Sequence, residues 1–181
     1  MPIVFNTNAL LRPPFTAAEF TATKWESADI KAKFASGLCH FIAADFKESL
    51  FTQPLYRRLV LSFGHVGHCD KFGFYDHFFR DLRGKVDFLE QTLTWQPCGQ
   101  PEYTYCDVEH AVLARLRKCN LLAAYRALLA AEVEGAEREL LRRLRTKYEG
   151  AGEPAPPPIL HSGHPAKRER KSQPPEQAGL F

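Results

Sequence analysis

Apolar residues recur at helical spacing through most of the chain. Ile30, Phe34, Leu38, Phe41 and Ile42 follow steps of four, four, three and one. They mark one face of a 3.6-residue period and predict a helix from Ser27 to about Ser49. Asp45 projects onto that face. It either reaches water near the helix end or is buried against a basic side chain such as Arg57 or Arg58. "TAAE" at Thr16–Glu19 has capping-box spacing and predicts a short helix, with residues 1–15 extended before it. Thr52 followed by Pro54 opens another helix in "TQPLYRRLVLSF". "FYDHFFRDL" and "KVDFLEQTL" predict two short helices either side of Gly84.

The turn-rich stretch from Gln96 to Tyr105 leaves room for a short strand at its end. Asp107 then suits the N-cap of a long helix striped by Val108, Val112, Leu116, Cys119 and Ala123. Val133, Ala136, Leu140, Leu144 and Tyr148 carry a second stripe. Gly135 either divides the two helices or weakens one continuous helix. From Gly150 the pattern stops. Residues 151–181 are rich in proline, charge and small polar groups and cannot bury enough apolar surface to order themselves. The expected architecture is all-α: one multi-helix domain over residues 1–150 and a disordered tail over 151–181.

Composition narrows the classes. The 181 residues are 45% apolar, with 14 Phe, enough for one core. A net charge of +3 sets up no global field toward nucleic acid or membrane. Five cysteines, irregularly spaced, read as reduced thiols. No apolar run approaches the roughly 20 residues of a membrane span. A soluble, cytoplasmic protein is expected.

Three stretches carry candidate chemistry. "SFGHVGHCDKFGFYDHFF" holds His65, His68, Cys69, Asp70, Asp76 and His77. His65, His68, Cys69 and His77 are of the types that bind zinc, with Cys98, Cys106 and His110 as the nearest second group. The paired knuckles of a structural site are missing, so the expectation is no metal and no cofactor. A histidine here with Asp70 or Asp76 could also serve as a general base. No nucleophile elbow, zinc-protease helix or phosphate-binding glycine loop accompanies it, and no catalytic residue is assigned.

Residues 136–148 set Arg138, Arg142, Arg143, Arg145 and Lys147 against Glu137 and Glu139, a net +3 on one helix. This is either a solvated face or a phosphate-contacting stripe. "KRERK" adds Lys167, Arg168, Arg170 and Lys171 in the tail.

The chain ends "QAGLF". Gln177, Leu180 and Phe181 make Q-x-x-L-F. This resembles the short peptide by which bacterial polymerases, mismatch-repair proteins and other replication factors dock on the DNA sliding clamp. The resemblance covers five residues and none of the domain. Ala178 and Gly179 depart from the preferred Leu and Ser or Asp, which implies weaker binding than for an ideal peptide. It implies a non-enzymatic accessory or modulator of bacterial, phage or plasmid DNA replication or repair, with the clamp as partner and DNA as a possible second one. Two alternatives stand beside it: a mobile-element protein that binds and inhibits a host complex, and a metal-dependent enzyme using the His65–His77 loop.

Overall fold

The computed structural model describes residues 7–65 and 70–149. They form seven α-helices and two short 3-10 turns, and no strand occurs among them. The all-α expectation holds, and the tail lies outside the described residues. The chain divides into two units, Met1–Leu140 and Leu141–Phe181. Of the second, Leu141–Glu149 is described, as the last turns of the final helix.

Helix α1 covers Thr7–Leu11, so this part of the N-terminal segment is helical where extended chain is expected. Leu10, fully buried, explains why it docks. A 3-10 turn at Ala17–Glu19 carries the capping box read from the sequence. Helix α2 runs Ala28–Ala43. It stops six residues before the expected end, because Asp45 and Phe46 both take left-handed backbone, at φ of 56° and 58°. That reversal swings Phe46 into the core. The Phe46 ring lies stacked 5.0 Å from Phe79 and edge-on to Phe41 at 5.3 Å. Asp45 is therefore off the helix face. It accepts from Lys85 Nζ at 2.9 Å and from the Tyr125 hydroxyl at 2.7 Å, and neither Arg57 nor Arg58 is its partner.

A second 3-10 turn at Glu48–Leu50 leads to α3, Gln53–Leu61, whose first turn is capped by the Thr52 hydroxyl. Helix α4 spans Lys71–Phe78 and α5 spans Leu82–Thr94. Their boundary is not Gly84 but Asp81, whose carboxylate accepts from Gly84 N at 2.7 Å. Gly84 sits inside the first turn of α5 because the end of α4 presses on it. A Cβ there would lie 2.5 Å from the His77 carbonyl oxygen.

Helix α6 is Cys106–Lys118, with Tyr105 at the N-cap and Asp107 already in the first turn. Val108, Val112, Leu116 and Cys119 are buried as their stripe requires. The chain then breaks at Asn120, in left-handed backbone at φ 50°, and α7 runs unbroken from Leu121 to Glu149 through Gly135. An asparagine, tolerant of that conformation, thus separates the helices where a glycine is the stronger sequence signal. The core is dense in aromatics: Phe41, Phe46, Phe51, Phe63, Phe79, Phe88 and Tyr125 are all at most 2% exposed.

Candidate partner-binding surface

The turn before α2 is tied by Thr23. Its hydroxyl accepts from Glu26 N at 2.8 Å and Trp25 N at 3.2 Å, and its own N–H donates to the Glu26 carbonyl at 2.8 Å. With the backbone so fixed, Trp25 points into solvent and is 71% exposed. A second turn lies beside it. Thr104 N and Tyr103 N both donate to the Gln100 carbonyl, at 3.0 and 2.9 Å, after Gly99 at φ 91°. This leaves Tyr103 63% exposed. Lys24 N donates to the Glu102 carbonyl at 3.2 Å and joins the two turns. Leu61, the last residue of α3, is 74% exposed.

Trp25, Leu61 and Tyr103 share the rim of one concavity of about 250 Å³, completed by Thr23, Glu26 and Tyr105. A second hollow continues along α3, past Gln53, Pro54 and Arg57, to a third lined by Lys33, Gly37 and His40 of α2.

Beneath the patch lies a polar lock. Arg58 grips Glu26 with two donors, Nη2 to Oε1 at 2.9 Å and Nε to Oε2 at 3.3 Å. The Tyr105 hydroxyl donates to the same Glu26 Oε2. The Arg58 hydrogen bond holds the Glu26 carboxyl below its ordinary range, against the opposing effect of burial. Tyr105 is pushed up to about 12, first by burial and then by Glu26.

One layer deeper, Lys31 is wholly buried. Its ammonium donates to the Pro101 carbonyl at 2.7 Å, the Thr104 carbonyl at 2.9 Å and Asp107 Oδ1 at 3.0 Å. Asp107 Oδ2 also accepts from Thr21 N at 2.9 Å. Lys31 thereby fastens α2 to the 95–105 connection and to α6. The ionisable groups here are consumed in holding the scaffold, and the apolar groups are offered to solvent.

Sequence reading missed this surface. Its one signal was Trp25 in "TKWESAD", a large aromatic in a polar run just ahead of a helix start.

Of the histidine loop, His65, Asp70, Asp76 and His77 are among the described residues. His65 is 2% exposed, its Nε2 lies 3.0 Å from Thr92 Oγ1 and its ring stacks on Phe88 at 4.8 Å. Burial lowers it to about 4, so it is neutral in the core. Asp70 caps α4 through Gly73 N at 2.8 Å, and Asp76 pairs with Arg80 at 3.2 Å. His77 lies exposed in the last turn of α4, edge-on to Phe78. His68 and Cys69 lie outside the described residues. His110 donates from Nδ1 to the Cys106 carbonyl at 2.7 Å, while the Cys106 thiol donates to the Gly99 carbonyl at 3.3 Å. Among the described residues, no three His, Cys, Asp or Glu side chains gather where a metal ion could bind.

Of the basic residues, Arg138 pairs with Glu134 at 2.5 Å. At 100° per residue Arg138, Arg142 and Arg145 share one face of α7, and Arg143 and Lys147 fall on another. Lys167, Arg168, Arg170, Lys171, Gln177, Leu180 and Phe181 lie outside the described residues. No helix among the described residues is long and apolar enough to cross a membrane. Comparison of the chain with protein-family models, curated proteins and solved structures found no match.

Proposed function

We propose that this protein is a non-enzymatic accessory of bacterial DNA replication or repair that works by binding other proteins, one of them the sliding clamp. The observation that carries a binding role is the surface of Trp25, Leu61 and Tyr103, held over the Glu26–Arg58–Tyr105 lock. Large aromatics on a fixed backbone give up little entropy when a partner covers them, and Trp and Tyr are prominent among residues that dominate interface energies. The identity of one partner comes from Gln177, Leu180 and Phe181, which resemble the clamp-binding peptide. In this reading the tail recruits the chain to the clamp, and the body presents the patch to a second protein there. The Arg138–Arg142–Arg145 face of α7 is a candidate for phosphate contact in the same assembly.

The test uses the full chain and a purified bacterial sliding clamp. Calorimetry is expected to show micromolar binding that disappears in L180A/F181A and persists in W25A/Y103A. Absence of any binding by the wild-type chain overturns the clamp assignment.

The same patch favours a second reading, a mobile-element protein that inhibits a host complex through its body. Its biological effect then survives L180A/F181A and is lost in W25A/Y103A.

A further inference from the structure

The second half of α7 leaves a patterned apolar stripe in solvent. Val133, Leu140, Leu141, Leu144 and Tyr148 are each between 43% and 65% exposed. At helical spacing Val133, Ala136, Leu140 and Leu144 form one line, and Leu141 and Tyr148 widen it. The sequence marks these positions as core-facing, yet the described residues do not cover them. A stripe of this length on a soluble helix is covered in the working protein.

Charge along the helix says by what. Glu132, Glu134, Glu137 and Glu139 precede Leu140, with Arg138 among them. Arg142, Arg143, Arg145 and Lys147 follow it, before Glu149. One flank of the stripe reads Glu132, Glu139, Arg143, Lys147 in order: two acids, then two bases. Such a helix is complementary to itself when reversed. We propose that α7 pairs antiparallel with α7 of a second copy of this chain, the acidic half of each lying along the basic half of the other.

With Leu140 near the two-fold axis, Ala136 faces Leu144 of the other copy, small against large. On the flank Glu132 falls beside Lys147, and Glu139 near Arg143. A parallel pair would set acid beside acid and base beside base, which disfavours it. The clamp reading plays no part in this inference, and either can fail alone.

Sedimentation equilibrium of the full chain tests it, over a concentration series and at low and high salt. The expected result is a dimer at micromolar concentration that weakens as salt rises, because the flanking attractions are screened. L140E/L144E is expected to be monomeric with an unchanged helical signal and unchanged thermal unfolding, since both side chains are exposed. R143E/K147E is expected to weaken the dimer at least about tenfold. Adding E132K/E139K to that variant restores the acid–base order, reversed, and is expected to restore the dimer. A folded wild-type chain that stays monomeric at about 100 μM in low salt overturns the proposal, and the stripe then belongs to residues 151–181 or to a different protein. A dimer that tightens with salt overturns the antiparallel arrangement. A dimer indifferent to L140E/L144E overturns the choice of surface.

Discussion

Lys31 Nζ sits 3.0 Å from Asp107 Oδ1 with the whole lysine side chain out of water. The ammonium's three protons are taken up by that carboxylate and by the carbonyls of Pro101 and Thr104. One side chain on α2 therefore sets the path of the 95–105 connection, which in turn presents Tyr103 to solvent and Tyr105 to Glu26.

Lys31→Met keeps most of the aliphatic volume and removes the ammonium. Asp107 then loses its cation, and two carbonyls lose their donor. Breaking a buried pair from one side costs about 3–5 kcal/mol. Urea unfolding of the variant is expected to show a loss near 3 kcal/mol, because Asp107 keeps some contact with water and the Thr21 N–H. A loss below about 1 kcal/mol rejects the fastening role.

His65 gives the fold a defined weakness toward acid. Its folded-state value of about 4 lies below the ordinary 6.5. Between those values the unfolded chain binds the proton and the native core does not, so stability falls as pH drops from 6.5 toward 4. The cost from pH 7 to pH 5 is about 2 kcal/mol, following from 1.36 kcal/mol per pH unit at full linkage. His65→Phe keeps the ring against Phe88 and cannot take a proton. Its unfolding free energy is expected to lose this pH 7-to-5 dependence relative to wild type. An unchanged slope in the variant assigns the acid sensitivity elsewhere.

Two helical glycines respond in opposite directions to the same methyl group. At Gly84 a Cβ would stand 2.5 Å from the His77 carbonyl oxygen and 2.9 Å from that of Phe78, both backbone. Neither can turn away, so Gly84→Ala is expected to cost about 1–3 kcal/mol. At Gly37, on the exposed face of α2, nothing lies within 4 Å. Gly37→Ala is expected to stabilise by about 0.5–1 kcal/mol, because alanine has less unfolded-state freedom to lose. Thermal unfolding of the pair with the same sign of shift contradicts the packing described at Gly84.

The helices were legible where apolar residues repeat every three or four positions, as in Phe34 to Ile42 and Val108 to Cys119. The 3.6-residue period is a local property and survives folding. Helix ends were harder, because tertiary packing sets them. Asp45 and Phe46 turn left-handed so that Phe46 can reach Phe79, a residue 33 positions later, and nothing near Phe46 encodes that. Gly84 misled for a related reason: its small size serves the approach of α4, not a break in the chain. The stripe from Val133 to Tyr148 was read correctly as apolar, but periodicity says only that a face needs covering and not what covers it. The Trp25, Leu61 and Tyr103 surface was illegible as a whole. Its members come from three segments that are far apart in sequence and are brought together by the Lys31, Glu26 and Lys24–Glu102 contacts.

The final residues supply the sharpest test of the proposed partner. A peptide of residues 172–181 is expected to bind a bacterial sliding clamp at micromolar strength, roughly −8 kcal/mol at a dissociation constant of 1 μM. Leu180 and Phe181 should contribute most of it, since full burial of each is worth about 1.5–3 kcal/mol. Gln177 should add about 1 kcal/mol through hydrogen bonds that fix the peptide's register. Replacing Leu180 and Phe181 with Ala is therefore expected to abolish detectable binding, and Gln177→Ala to weaken it about fivefold. Ala178→Leu is expected to tighten binding, because the clamp-binding motif prefers Leu at that place and more apolar area is buried. The peptide should bind more weakly than the whole chain if the dimer forms, because two tails on one particle reach two sites of a ring together. Calorimetry showing no heat from either peptide or whole chain, or equal affinity for the double-alanine variant, removes the clamp from the proposal and leaves the body's surface as the basis for function.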